Sequence, residues 1–150
     1  MPGIVVGVDG SHHSQRALIW AMRQAAKEQV PLTALAVRPA PVRPATGIYW
    51  GLRDYPEDSH NPEVAHKAIE QIVEQARNEI GETTAQVTVN VVTGDPAEEL
   101  ITASRDADLV VVGSRGSGGF ASLLMGSVSS KVTHHAACPV VVIREKGQAS

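Results

Sequence analysis

The chain has 150 residues, 43% of them hydrophobic but only 3% aromatic, so its apolar mass is Val, Ala, Leu and Ile. That length suits one domain (1–150), since domains cluster near ~100–150 residues, and it argues against a two-domain enzyme. Thirteen basic against 16 acidic residues leave a net charge of −3 with both signs interspersed, which removes the footprint of a protein that grips nucleic-acid phosphates non-specifically.

The single Cys138 cannot form an intramolecular disulfide, and a reducing cytoplasm is the expected location. Met1-Pro2 leads straight into a β-like run without a basic, apolar and cleavable leader, and no run approaches the ~18 apolar residues of a membrane helix. A soluble, unprocessed protein with no membrane partner is expected.

Gly3–Asp9 (GIVVGVD) is short, apolar and rich in β-branched residues, which predicts a strand buried on both faces. Ser11 is the expected N-cap of the helix that follows, with Leu18, Ala21, Met22 and Ala25 at helical spacing until Pro31. Leu32–Val37 is a second buried strand, closed by Pro39, Pro41 and Pro44. From Arg38 to about Asn61 four prolines and two glycines show no period, so a long mobile loop over the strand ends is expected.

Asn61-Pro62 opens a second helix, its stripe traced by Ala65, Ala68, Ile69, Ile72, Val73, Ala76 and Ile80, with Gly81 as C-cap. Val87–Val92 is the third strand. Asp95-Pro96-Ala97-Glu98 combines an N-cap, a first-turn proline and a capping-box acid at the head of a helix carrying Leu100 and Ile101. Leu109–Val112 is the fourth strand, Ser127 to His135 the last helix and Val140–Ile143 the fifth strand. Strands alternating with helices imply right-handed crossovers and a parallel sheet between helical layers, a three-layer α/β fold with a core of about residues 3–144. Ligands of such sheets sit beyond the carboxyl ends of the strands, where strand order reverses.

The segment Gly113 to Ser127 starts at such an end and holds Gly113, Gly116, Gly118, Gly119 and Gly126, followed by Ser127-Val128-Ser129. Glycine lets backbone N–H groups approach an anion, and the helix start adds unpaired donors and partial positive charge. The pattern fits a phosphate cradle with Arg115 as charge partner, and it equally fits a flexible turn. The Walker pattern is absent, and the local G-x-G-x-x-A match lacks a strand ending in an acid ~20 residues on.

Gly113-x2-Gly116-x9-Gly126-Ser127 resembles the G-2x-G-9x-G-[ST] signature of the ATP-binding branch of the universal stress protein family (UspA-like). The likeness extends to Val8-Asp9-Gly10-Ser11, Gly94-Asp95-Pro96, Asp108 to Gly113, and His135 with Cys138-Pro139-Val140-Val141-Val142. The resemblance implies a five-stranded doubly wound parallel sheet of order 3-2-1-4-5 and a site for ATP, with or without Mg2+. Gly7 and Asp9 are implied beside the adenosine, Asp9 near the ribose, and Val37 at the adenine edge. Gly113, Ser114, Arg115 and Gly116 are implied along ribose and phosphates, and Gly126, Ser127, Val128 and Ser129 at the phosphates. It also implies a homodimer through Val140–Ile143.

Other residues tempt. His12-His13 resembles part of the H-x-G-H element of nucleotidylyltransferases but lacks its glycine, and exposed first-turn histidines are expected. His134 and His135 are adjacent and cannot share a metal as an i, i+4 pair does, although one is placed to meet the helix C-terminus. Cys138 is expected as a small buried residue. No nucleophile with a base and no metal cluster is visible, which argues against rapid chemistry, and the family resemblance implies a cytoplasmic ATP-binding stress-response regulator. The alternatives are a weak ATPase or adenylyl-transfer enzyme, a cyclic-AMP binder on the same fold, and a ligand-free interaction protein.

Overall fold

The structure is a computed structural model that describes residues 2–39, 61–81, 85–115 and 126–144. Its elements follow in the order β1 (Ile4–Gly7), α1 (His12–Glu28), β2 (Leu32–Arg38), α2 (Pro62–Ile80), β3 (Val87–Thr93), α3 (Pro96–Ser104), β4 (Leu109–Gly113), α4 (Ser127–His135) and β5 (Val140–Ile143). All neighbours pair in parallel, in the order β3-β2-β1-β4-β5, the order implied above. The expected long loop falls almost wholly on residues 40–60, outside the described residues.

Side chains alternate across a strand, so a sheet covered on both faces needs apolar residues at every position of its central strands. In β1, Ile4 and Val6 join the layer of α1 and α2, where Leu18, Ala21, Met22, Ile69, Val73 and Ala76 are buried. Val5 turns the other way, to Leu100 and Ala103 of α3 and Val132 of α4. The same alternation splits β4, with Val111 in the first layer and Val110 and Val112 in the second. Small residues such as Ala17, Ala21 and Ala25 face the sheet from α1, which lets that helix lie close.

The caps behave as their residue types dictate. The side chains of Ser11, Asn61 and Asp95 accept from Ser14, Glu63 and Glu98 backbone N–H groups at the starts of α1, α2 and α3. Pro31 halts the chain after α1, which closes on Gln29 in the left-handed region (φ 56°). At the opposite end of the sheet from the strand exits, Asp108 clasps β1: its carboxylate accepts from Gly3 N–H at 2.9 Å while its own N–H donates to Gly3 O at 2.8 Å.

Some expectations need correcting. β1 spans Ile4–Gly7 rather than Gly3–Asp9, since the backbone leaves the ladder after Val8 N–H bonds Leu35 O. β2, β3 and β4 each run one residue further than expected, to Arg38, Thr93 and Gly113. Ala68 is exposed and leaves the α2 stripe. Cys138 is half-buried, at the turn before β5.

Leu18→Ala removes a side chain with no exposed surface between α1 and the sheet. It is expected to lower unfolding free energy by about 2–5 kcal/mol in urea denaturation.

Candidate functional site

The chain leaves β1 toward β2 on one side and arrives at β4 on the other, so the connections at their carboxyl ends diverge and open a crevice. Val6 pairs with Val111 in register, which sets Gly7 level with Val112 and the turn beyond β1 beside the exit of β4.

The first wall is the turn Asp9-Gly10-Ser11. Asp9 Oδ1 accepts Ser11 N–H at 2.8 Å, and Gly10 takes φ 83°, a conformation that favours glycine. Ser14 locks this turn to the helix: its hydroxyl accepts Asp9 N–H at 3.2 Å and donates to Ser11 O at 3.1 Å, while its own N–H donates to Ser11 Oγ at 3.2 Å. Ser14 stands three residues after the N-cap, the capping-box position, yet its hydroxyl reaches past Ser11 to the N–H of Asp9, a role that helical spacing alone does not signal. Asp9 itself is exposed at the mouth.

The second wall is backbone. Leu35 O accepts from Val8 on the β1 side, whereas Arg38 O accepts from Gly94 on the β3 side. Peptide groups alternate along a strand, so Val37, in phase with Leu35, directs its N–H and C=O toward β1. By that level β1 has turned away, since its ladder with β2 ends at Gly7 and Leu35.

The third wall is built from β4 and α4. Ser114 N–H donates to Ile143 O at 2.9 Å, and Ser114 O accepts from Gly126 N–H at 2.6 Å and from the Ser129 hydroxyl at 3.0 Å. Ser129 is 3% exposed, with its Oγ also 3.1 Å from Gly126 O. Its hydroxyl therefore ties the exit of β4 to the first turn of α4 and leaves only its backbone N–H for a ligand. Gly126 supplies no side-chain cap, unlike the residues before the other three helices. The N–H groups of Ser127 and Val128 thus begin a helix without a side-chain acceptor, the arrangement that favours an anion. Arg115 is half-buried at the start of the segment, and Gly116 lies outside the described residues.

Two glycines fix how close the helices come. A Cβ on Gly7 would stand 3.2 Å from the Leu100 side chain of α3, and one on Gly113 would stand 2.8 Å from the backbone C and O of His13 in α1. Gly113 thus seats the first turn of α1 over the end of β4, whatever else it does.

Groups outside the crevice are occupied structurally. Lys131 of α4 meets Glu98 of α3 at 2.7 Å, and that hydrogen bond and charge hold its pKa above the ordinary lysine range. Burial pushes the Cys138 thiol up, with a lesser push from Asp108 against the lowering by the Val110 backbone, so it is a poor nucleophile at neutral pH. The His134 ring contacts Ser130 O at 2.8 Å, near the end of α4. Among the described residues there is no group of three or more His, Cys, Asp or Glu able to hold a metal ion, and no helix long and apolar enough to cross a membrane.

The family model of universal stress proteins matches residues 2–144. A universal stress protein of Mycobacterium tuberculosis is 38% identical over 153 residues, covering 96% of this chain and 48% of that protein. One from Mycolicibacterium smegmatis is 36% identical over 151 residues, covering 99% and 50%. The chain thus spans about half the length of the curated relatives it matches. Among solved structures, UspA from Lactobacillus plantarum superposes with a TM-score of 0.71 at 25% identity, over 95% of this chain and 97% of that one. A universal stress protein in complex with cAMP gives a TM-score of 0.63 at 26% identity, over 95% of each chain.

Gly113→Ala places a methyl group against the His13 backbone and is expected to cost about 1–3 kcal/mol of stability in urea denaturation. An unchanged midpoint would show that α1 shifts freely away from β4.

Proposed function

This chain belongs to the universal stress protein family, and from that membership we propose that it binds an adenine nucleotide, ATP first among them, in the crevice at the carboxyl ends of β1, β2 and β4. The observation that carries the reading is the meeting of three unlike surfaces there: the carboxylate turn at Asp9, the outward backbone of Val37 and the uncapped start of α4 at Gly126.

Each surface suits one part of a nucleotide. Asp9 offers a carboxylate to ribose hydroxyls. Val37 offers a donor and an acceptor to the adenine edge, a fitting reader where the described residues beside the crevice carry no aromatic ring other than histidine. Gly7 and Gly113 keep side chains off the strand ends, Ser114 and Arg115 lie on the way to the phosphates, and Gly116 is assigned to them from the glycine signature alone. The N–H groups of Gly126, Ser127, Val128 and Ser129 begin the helix toward which the phosphates point, except that Gly126 N–H already serves Ser114 O. A bound Mg2+ would be carried by the phosphates and water, as that ion prefers. The nucleotide supplies charge and shape that order the walls of the crevice, and it acts as a signal in a cytoplasmic stress response.

Cyclic AMP is the second reading, favoured by the cAMP complex of the solved relative. The same walls receive it, with one cyclic phosphate in place of three.

A homodimer through β5 completes the proposal. Val110 N–H bonds Pro139 O and Ser114 N–H bonds Ile143 O, so the odd-numbered residues of β5 face β4 while Val140 and Val142 direct their backbone groups to the free edge. The strand is uncharged, and such edges invite pairing.

Isothermal titration with ATP, ADP, AMP and cAMP is expected to give saturable 1:1 binding by at least ATP, and no heat from any of the four contradicts the reading. Gly126→Leu, which sets a side chain at the head of α4, is expected to weaken ATP about tenfold or more, a loss of ~1.4 kcal/mol, with the fold retained. Val142→Pro removes an outward N–H without touching the β4 ladder. It is expected to turn a dimer into a monomer in light scattering.

A further inference from the structure

β3 and β5 are the two edge strands of the sheet, and neither VTVNVVT nor VVVI carries a charged residue or a proline to discourage pairing with another chain. The two edges nevertheless differ. Leu32 N–H bonds Gln86 O and Gly94 N–H bonds Arg38 O, so the even-numbered residues of β3 face β2, while Val87, Val89, Val91 and Thr93 direct their peptide groups outward. One of those outward carbonyls, Val89 O, is met at 3.2 Å by Nε2 of His66 from α2. Resting on the β5 homodimer proposed above, we propose that His66 closes the outer edge of β3 to strand pairing, so that copies of this chain associate through β5 alone and assembly stops at the dimer.

Three observations carry this. A carbonyl oxygen only accepts, so the Nε2 hydrogen of His66 occupies the place where an added strand would donate to Val89. One turn further along α2, Glu70 Oε1 stands 2.9 Å from Nδ1 of the same ring and holds it over the edge. Arg77, three turns on from His66 and paired with Glu74 at 3.6 Å, falls on the same flank of α2 by helical spacing. The helix packed on β3 thus supplies the polar and charged groups that the strand lacks. At the other edge Val140 and Val142 direct their peptide groups outward, and among the described residues no side chain meets them.

Closing one edge decides how far assembly goes. A two-fold contact at β5 alone gives a closed pair, whereas contacts at both edges would add copies to one continuous sheet without ever closing it. The His66 and Glu70 side chains are 44% and 55% exposed, and an exposed pair of this kind contributes little to stability. Variants at His66 are therefore expected to keep the urea midpoint of the original chain, which leaves assembly as the readout.

The test is light scattering over a wide range of protein concentration on the full chain, on His66→Ala, His66→Gln and Val142→Pro, and on the His66→Ala/Val142→Pro double variant. The original chain and His66→Gln, whose carboxamide N–H still donates to Val89 O, are expected to hold the mass of a dimer. His66→Ala is expected to grow beyond it, with roughly a doubling or more of mean mass as concentration rises. The double variant is expected to pair through β3, where Val142→Pro alone stays monomeric. A dimer mass for His66→Ala at every concentration, with the double variant monomeric, overturns the closure of β3 and leaves the β5 reading standing. Growth of His66→Gln alongside His66→Ala overturns the hydrogen bond to Val89 as its means. A monomeric original chain overturns the β5 reading, and His66→Ala then decides the closure of β3 by itself: association supports it, and a monomer overturns it.

Discussion

Everything at the candidate site depends on β1 being apolar on both faces. Its Ile4, Val5 and Val6 have at most 1% of their surface exposed, which is possible only if helices cover the sheet above and below. Two covering layers force the connections to alternate sides, and the reversal of strand order between β1 and β4 follows from that winding. The crevice is the place where this construction leaves backbone groups without a neighbouring strand.

A site made from strand ends relies on main-chain geometry more than on side-chain chemistry. Val37 is placed by register, Gly126 by the hydrogen bond to Ser114, and Asp9 by the Ser14 hydroxyl. The small residues that let α1 and α3 approach the sheet are of a piece with this, because Gly7 and Gly113 leave room at the strand ends for the Leu100 side chain and the His13 backbone. The aromatic poverty of the chain has the same origin: thin layers of Val and Ala carry the helices close to the sheet.

Much of this was legible in the sequence, for identifiable reasons. Unbroken β-branched runs marked strands buried on two faces, and Ser11, Asn61-Pro62 and Asp95-Pro96 marked helix starts to the residue. The glycine spacing marked the segment after β4. Side-chain direction was harder to read. Ser129 looks in sequence like another donor at a helix start, yet its hydroxyl turns inward to Ser114 O, and Ser14 looks like any helix serine although it fixes Asp9. Ala68 fits the α2 stripe by spacing but falls at its solvent margin, and Cys138 sits on a turn that only half covers it. These outcomes depend on which neighbour happens to lie opposite, a tertiary fact that periodicity does not carry.

The proposed nucleotide would touch three walls drawn from distant parts of the chain. Titrating ATP into the isotope-labelled protein and following backbone amide resonances tests this most directly. Saturable shifts are expected at Asp9 to Ser11, Val37, Gly113 to Arg115 and Ser127 to Ser129, with α2 and the α3–α4 contact unmoved. Shifts scattered over the surface, or concentrated away from the carboxyl ends of β1, β2 and β4, would contradict that placement.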